Sequence, residues 1–272
     1  MKQTIFKFSY CLIFTFVFSS CQKVIEVNLN AAAPQLVVEG SVTDQSGPYS
    51  VKLSQTVNFS DANVFPAASG AQIIISDNAG NSETLTEISS GYYNSSALQG
   101  VAGRTYNMSI TFKGKNYTAS STMPAPVKID SITVDTSSNG GFGGGFGKKK
   151  SVTINVQFKD TAGIANYYRL VETVNGIQKN DVSIVSDNLQ DGSVINRSLS
   201  RRDTTIHAGD VVQVQLQSID KNVYEYFRTL NLLAGGAGAQ SASPANPTSN
   251  INNSALGYFS AYSVTSKSIV VP

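Results

Sequence analysis

Charge is scarce in this chain of 272 residues: Asp, Glu, Lys and Arg make up 14% of it, against about 25% in an average globular chain. The 20 basic residues barely exceed the 18 acidic ones. Lys2 and Lys7 fall in an N-terminal segment expected to be removed, which leaves the mature chain close to neutral. A nucleic-acid binder usually carries a basic excess, so the balance argues against that class, and no nucleic-acid partner is expected. There is no Trp, one His (His207) and two Cys (Cys11 and Cys21). A His-rich or Cys-rich metal site is excluded by count. An intrachain disulfide in the mature protein is excluded too, because Cys11 lies in the segment expected to be lost. The lack of Trp weighs slightly against a carbohydrate platform, and no cofactor is expected. Apolar residues are nevertheless 41% of the chain, enough for a real core. At roughly 100–200 residues per domain, the length suits one large domain or two small ones.

The longest apolar run, Phe8 to Phe18, follows the short positive region of Lys2 and Lys7. A membrane-spanning helix needs about 20 apolar residues, so this run fits a signal-peptide core instead. It ends in Phe18-Ser19-Ser20-Cys21. Small residues before a cysteine resemble the bacterial lipoprotein box, with Leu the usual residue where Phe18 stands. The box predicts a signal peptide over 1–20, cleavage between Ser20 and Cys21, acylation of Cys21 and a tether over 21–33. Several acyl chains hold stably in a bilayer where one does not, at about 0.8 kcal/mol per buried methylene. Gln22 rather than Asp follows the cysteine, which favours the outer membrane. Gln22-Lys23 begins a surface-export pattern that Val24 and Ile25 interrupt before Glu26; display at the cell surface is compatible with it.

The body reads as strands. Leu36 to Val42 is rich in β-branched residues, and Tyr49, Val51 and Leu53 alternate with Ser50, Lys52 and Ser54. Tyr106, Met108, Ile110 and Phe112 alternate likewise, as do Val152, Ile154, Val156 and Phe158. Period-two alternation marks half-buried strands, and short strands at regular spacing with polar turns predict β-sandwiches. We expect an all-β protein of two immunoglobulin- or transthyretin-like sandwich units, 34–122 and 127–272. Pro124 and Pro126 stiffen the linker between them, since proline cannot sit in a central strand. One helix is expected at about 220–234: Asp220 caps it, and Val223, Phe227, Leu230 and Leu233 recur at helical spacing. Gly235-Gly236 ends it.

Motifs for chemistry are few. The segment 139–150 (NGGFGGGFGKKK) holds Phe142 where a phosphate-binding loop needs its first Gly, so that loop is excluded. Its composition is that of a flexible linker or hairpin tip. In a second reading, Phe142 and Phe146 insert into a partner or lipid headgroups beside Lys148 to Lys150. His207 would have to serve any Ser-His-Asp hydrolase, yet no Gly-x-Ser-x-Gly elbow is present, and an exposed turn His is the plainer reading. Asp187 to Gly192 has Leu189 where an EF-hand needs an oxygen ligand, which leaves a tight turn. No catalytic residue and no metal ligand is assigned.

The segment 244–251 (PANPTSNI), followed by 256–262 (LGYFSAY), is the most distinctive stretch. Pro244, Pro247 and the neighbouring Asn residues make a rigid, hydrogen-bonding loop, and Gly257-Tyr258-Phe259 is expected to put aromatics at a turn. Either it is a buried strap across the sandwich, or Asn246, Asn250, Tyr258 and Phe259 contact a partner or ligand. With Leu36 to Gly40, Gly47 to Leu53, Gly91-Tyr92-Tyr93, Gly103 to Tyr106, Phe158-Lys159-Asp160 and Asn166 to Arg169, in this order, the chain resembles the Bacteroidota lipoproteins of domain-of-unknown-function family 4249. The first unit also resembles the carboxypeptidase-regulatory or transthyretin-like sandwiches of Bacteroidota surface proteins. The resemblance implies an outer-membrane lipoprotein. Such proteins are commonly encoded beside TonB-dependent transporters, which implies a non-enzymatic accessory to an outer-membrane β-barrel transporter. A cell-surface adhesin or envelope-organising protein is the alternative. The family has no established catalytic residues, and none is carried over.

Overall fold

Alternation along the chain becomes sixteen strands and one helix in the computed structural model, which describes residues 33–58, 61–62, 64–139, 149–188, 191–234 and 246–272. The first half holds β1 (Leu36–Thr43), β2 (Ser50–Gln55), β3 (Gln72–Asp77), β4 (Ser82–Thr84), β5 (Thr86–Ser89), β6 (Tyr92–Asn94), β7 (Thr105–Phe112) and β8 (Lys115–Thr122). The second holds β9 (Ile129–Asn139), β10 (Lys149–Lys159), β11 (Tyr167–Val174), β12 (Ile177–Gln178), β13 (Ser183–Ser186), β14 (Val194–Asp203), β15 (Val211–Ile219), α1 (Lys221–Leu233) and β16 (Leu256–Val270). Among the described residues the protein is all-β with a single helix, as its strand alternation and the helical spacing after Asp220 predict.

Three sheets result. A 9-stranded sheet runs β12-β11-β15-β16-β1-β2-β6-β5, with β13 also paired to β11. A 4-stranded sheet, β4-β3-β7-β8, and a 3-stranded sheet, β14-β10-β9, complete the set. The apolar side chains fall into two main clusters. One gathers Val38, Leu53, Ile75, Tyr106 and Ile110 with Phe259 and Ala261 from β16. The other gathers Ile132, Ile154, Phe158, Tyr168, Leu170 and Val214. The clusters change over between Met123 and Val127, across the two prolines.

The long sheet crosses this changeover because β16 is shared. Residues Leu256 to Tyr262 pair in parallel with β1, from Val37↔Leu256 to Thr43↔Tyr262. Residues Ser263 to Val270 pair antiparallel with β15 on the other edge. Each half of β16 therefore has one edge without a strand partner, and a buried backbone group without a partner is costly. Side chains fill these edges. On the first half, Asn250 Nδ2 donates to the Phe259 carbonyl at 2.7 Å and the Phe259 N–H donates to Asn250 Oδ1 at 3.0 Å. The Ala261 N–H donates to Ser121 Oγ at 2.8 Å. On the second half, the Val264 N–H donates to Asp44 Oδ1 at 3.0 Å, just past the end of β1.

Two expectations change. Gly257, Tyr258 and Phe259 are not at a turn but inside β16. Gly257 has φ +90°, and a Cβ there would lie 1.9 Å from the Val38 carbonyl oxygen. The glycine permits close approach of β16 to β1; it does not mark a reversal. The ends of the predicted glycine-rich loop are also strand, since Asn139 pairs with Lys149 and Ser138 with Lys150. Gly140 to Lys148, with Phe142 and Phe146, lie outside the described residues, as do Ser20, Cys21 and Gly235-Gly236.

The Asp77 turn shows how polar loops hold the sandwich together. Asp77 Oδ1 accepts the N–H groups of Ala79 and Asn81, and Oδ2 accepts Asn81 Nδ2 and Arg104 Nη1, each of the latter at 2.8 Å. Burial raises this carboxyl, but the bonds from Asn81, Arg104 and Ala79 outweigh burial and hold its pKa at about 2. A carboxyl depressed in the folded state stabilises the fold above its unfolded pKa of 3.8 and loses that contribution as pH falls through about 2. Asp77→Asn should therefore be clearly less stable than the parent near neutral pH, with the gap closing between about pH 4 and about pH 2. Urea midpoints across that range check it; a gap independent of pH contradicts the charge-based account.

Candidate functional site

Helix α1 forms because Asp220 supplies its cap. The Asp220 side chain accepts the Val223 N–H at 2.9 Å, satisfying one of the orphan donors of the first turn. Its other oxygen accepts the Ser121 hydroxyl, which itself receives the Ala261 N–H. The cap is thus tied to both β8 and β16. Val223 and Phe227 are buried beneath the helix.

Between α1 and the long sheet lies a cluster of aromatic rings, tyrosines that are half-buried around the buried Phe227. Tyr258 of β16 meets Tyr226 at 4.9 Å and Phe227 at 5.0 Å between centroids. Tyr167 of β11 meets Tyr224 at 5.0 Å. The Arg169 guanidinium sits 4.2 Å from the centre of the Phe227 ring and bonds Gln217, a cation–π contact strengthened by partial burial. Tyr262 lies farther along the same face. Burial raises the phenols of Tyr226, Tyr258 and Tyr262, with Tyr226 reaching about 12 under the added influence of Tyr258 and Glu39. These hydroxyls stay protonated near neutrality and can both donate and accept. The face therefore presents aromatic surface, phenolic hydroxyls and one guanidinium, a combination enriched where proteins meet partners.

The four contact residues expected in the tail divide. Tyr258 belongs to this face. Asn246 is exposed, two residues before Thr248, whose N–H donates to Thr229 Oγ1 of the helix at 2.9 Å. Asn250 and Phe259 are brought together, but by bonding each other, and the Phe259 ring is fully buried in the first core. The next residues are stitched to the edge strand β8. The Thr118 N–H donates to Asn252 Oδ1 at 2.7 Å, the Asn252 N–H donates to the Thr118 carbonyl at 3.0 Å, and Asn253 Nδ2 donates to the Asn116 carbonyl. This part of the tail acts as a strap. Tyr167, Arg169, Tyr224 and Tyr226 were not assigned to a site from sequence. The signal that could have found two of them is the Tyr167-x-Arg169 spacing, which puts both on one face of β11.

A second feature lies at the turn around Asp187. Carboxylate oxygens of Asp160, Asp187 and Asp191 lie within 4.8 Å of one another, and Asp160 and Asp187 are buried. Hard cations take oxygen ligands, but calcium uses six to eight of them. Here the carboxylates already accept protein donors: Asp160 from Tyr168 Oη and the Gly192 N–H, Asp187 from the Asn166 N–H, and Asp191 from the Gly163 N–H. The three acids clamp the 160–166 loop to the 187–193 loop. Burial and the Asp160 contact push the Tyr168 phenol far up. His207 is the exposed turn residue its context implies, its N–H donating to Asp210 Oδ2 at 2.7 Å.

The sequence profile of the family described as "Domain of unknown function (DUF4249)" matches residues 22–268. The chain belongs to this family. The match spans both cores and the shared strand, so strap, helix and aromatic face all lie within the family's own extent. No curated protein matches the sequence. Among solved structures, the selenomethionine-substituted chicken interferon gamma receptor alpha chain aligns with 69% of this chain and 90% of its own, at 9% identity and a TM-score of 0.20. A likeness that low carries nothing about fold or function.

Proposed function

We propose that this DUF4249 member is a non-enzymatic, lipid-anchored protein of the outer membrane that assists a TonB-dependent β-barrel transporter, docking on it or helping it capture ligand. The observation that carries the reading is the Tyr-Arg face: Tyr167, Tyr224, Tyr226, Tyr258 and Tyr262 with Arg169 are half-buried on one side of the long sheet. Rigid aromatics and Arg supply much contact area for little lost side-chain freedom. The Ser20-Cys21 box supports the anchor, and a single His in an exposed turn with no hydrolase elbow in the sequence supports a non-catalytic role.

Two measurements test it. Cys21→Ser should move the protein from the membrane fraction to the soluble one, since its acyl chains are the only proposed attachment. Full retention of the variant on detergent-free membranes overturns the anchor. Pull-down of a C-terminally tagged chain from crosslinked outer membranes should recover a stoichiometric β-barrel transporter, and Tyr258→Ala with Arg169→Ala should reduce that recovery. Recovery of other surface proteins or polysaccharide without a barrel points to an adhesin or scaffold instead.

A further inference from the structure

The second sandwich has a cleft that neither the strap nor the aromatic face uses. It lies between β11, the 179–183 segment and β14, holds about 520 Å³, and is floored by Leu170, Leu199 and Glu172. Glu172 is 6% exposed. Its Oε2 accepts the Ser200 hydroxyl at 2.7 Å, while Oε1 has no hydrogen-bond partner. A buried carboxylate oxygen without a donor is expensive, and in a folded protein it needs an explanation. The cleft's lysine is already engaged: Lys179 Nζ pairs with Asp203 at 2.9 Å and donates to Thr205 Oγ1 at 3.1 Å. Arg197 Nε donates to Ser183 Oγ at 3.2 Å. Asp181 is exposed on the same lining. Among the described residues of the lining, the carboxylates of Glu172, Asp181 and Asp203 stand with Lys179 and Arg197, and the Glu172 Oε1 acceptor is unmet.

We propose that this cleft binds a small aliphatic amine, with its ammonium group on Glu172 Oε1 and its carbon chain against Leu170, Val182 and Leu199. Asp181, nearer solvent, attracts the cation and can receive a second ammonium. A carboxylate's last torsion is broad and twofold, so Oε1 turns into the cleft by a small rotation while Oε2 keeps Ser200. Burial raises the Glu172 carboxyl and Asp203 and Asp181 add to the rise, against Ser200 and Lys179; an arriving ammonium reverses that balance. A divalent metal lacks the oxygen count it requires. Amine binding here is independent of the anchor and of any transporter.

The test is calorimetry on the full chain in detergent, titrated with putrescine and, separately, with butanediol, its neutral counterpart. Saturable binding of one putrescine per chain is expected, with butanediol giving none. Glu172→Gln, nearly identical in shape, should weaken putrescine at least about tenfold. Asp181→Asn should weaken it about threefold, as an exposed charge does. No saturable putrescine binding, equal binding of butanediol, or unchanged affinity in Glu172→Gln overturns the assignment. Should Glu172→Gln fail to fold, Asp181→Asn decides: its carboxylate is exposed, and unchanged affinity there also overturns the assignment.

Discussion

Gly257→Ala should cost about 4 kcal/mol or more, in the range reserved for severe backbone or core disruption, and lower the melting temperature by roughly 10 °C. Two independent effects add. At φ +90° an L side chain is strained, by roughly 1–2 kcal/mol. The new Cβ would also stand 1.9 Å from Val38 O and 2.8 Å from Val38 C. Those are backbone atoms of the β1 partner, so no side chain can swing aside; β16 must move away from β1. That movement tears the parallel pairing from Val37↔Leu256 to Thr43↔Tyr262, the seam through which the long sheet crosses from one core to the other. Gly80→Ala separates the two effects. Gly80 has φ +89° but nothing within 4 Å of its Cβ position, so it should lose only the strain, roughly 1–2 kcal/mol. Thermal melts of both variants check the difference; equal losses would falsify the close-approach account.

Asn250→Ala should destabilise the fold by about 2 kcal/mol, because two backbone groups of Phe259 lose their partners together and each orphaned buried group costs about 1–3 kcal/mol when water cannot replace the bond. The Asn250 amide acts as a one-residue strand: it donates to the Phe259 carbonyl and accepts its N–H, as a neighbouring strand would. Asn246→Ala, on the exposed part of the same segment, should stay within about 0.5 kcal/mol of the parent. Denaturant midpoints distinguish them. If Asn250→Ala is as mild as Asn246→Ala, the tail is no strap, and partner contact becomes the better reading of Asn250. The same pair of variants in the pull-down is informative, since a strap residue affects recovery only through stability.

Much of the architecture is legible before any coordinates. Alternation in Tyr106 to Phe112 and in Val152 to Phe158 marks β7 and β10 because every second side chain must enter a core. Helix α1 is legible from Asp220 and the Val223, Phe227, Leu230 spacing, since cap and stripe are local. Strand β14 is harder to see: in VINRSLSRRD, among the residues whose side chains are described, Ile195 and Leu199 are the buried ones, with Arg197 between them on the same face. Local polarity there masks an edge strand that gains its order from pairing with β10. The start of β16 is misread for a related reason, because Gly-Tyr-Phe has turn chemistry when considered alone.

The features of the proposed contact face and cleft divide similarly. The ordered motifs that identify the family lie in the sequence, and among them Tyr258 reaches the aromatic face. The partners of Tyr258 come from α1, and Arg169 arrives from β11, more than fifty positions before the helix's own aromatics. The cleft at Glu172 has no local signature at all, since it exists only where β11 meets β14 and Lys179 has turned to Asp203.

What the sequence by itself determined is which residues of the alternating strands go inside, where the helix starts and to which family the chain belongs. These follow from local periodicity, caps and motif order. What only the tertiary structure decided is which strand lies beside which: the parallel union of β1 with β16, the strap that closes its free edge, the tyrosines gathered around Arg169 and the unmet oxygen of Glu172. The physical reason is that alternation specifies a strand's face and leaves its neighbour open, while pairing and burial are settled by contacts between residues as many as 220 positions apart.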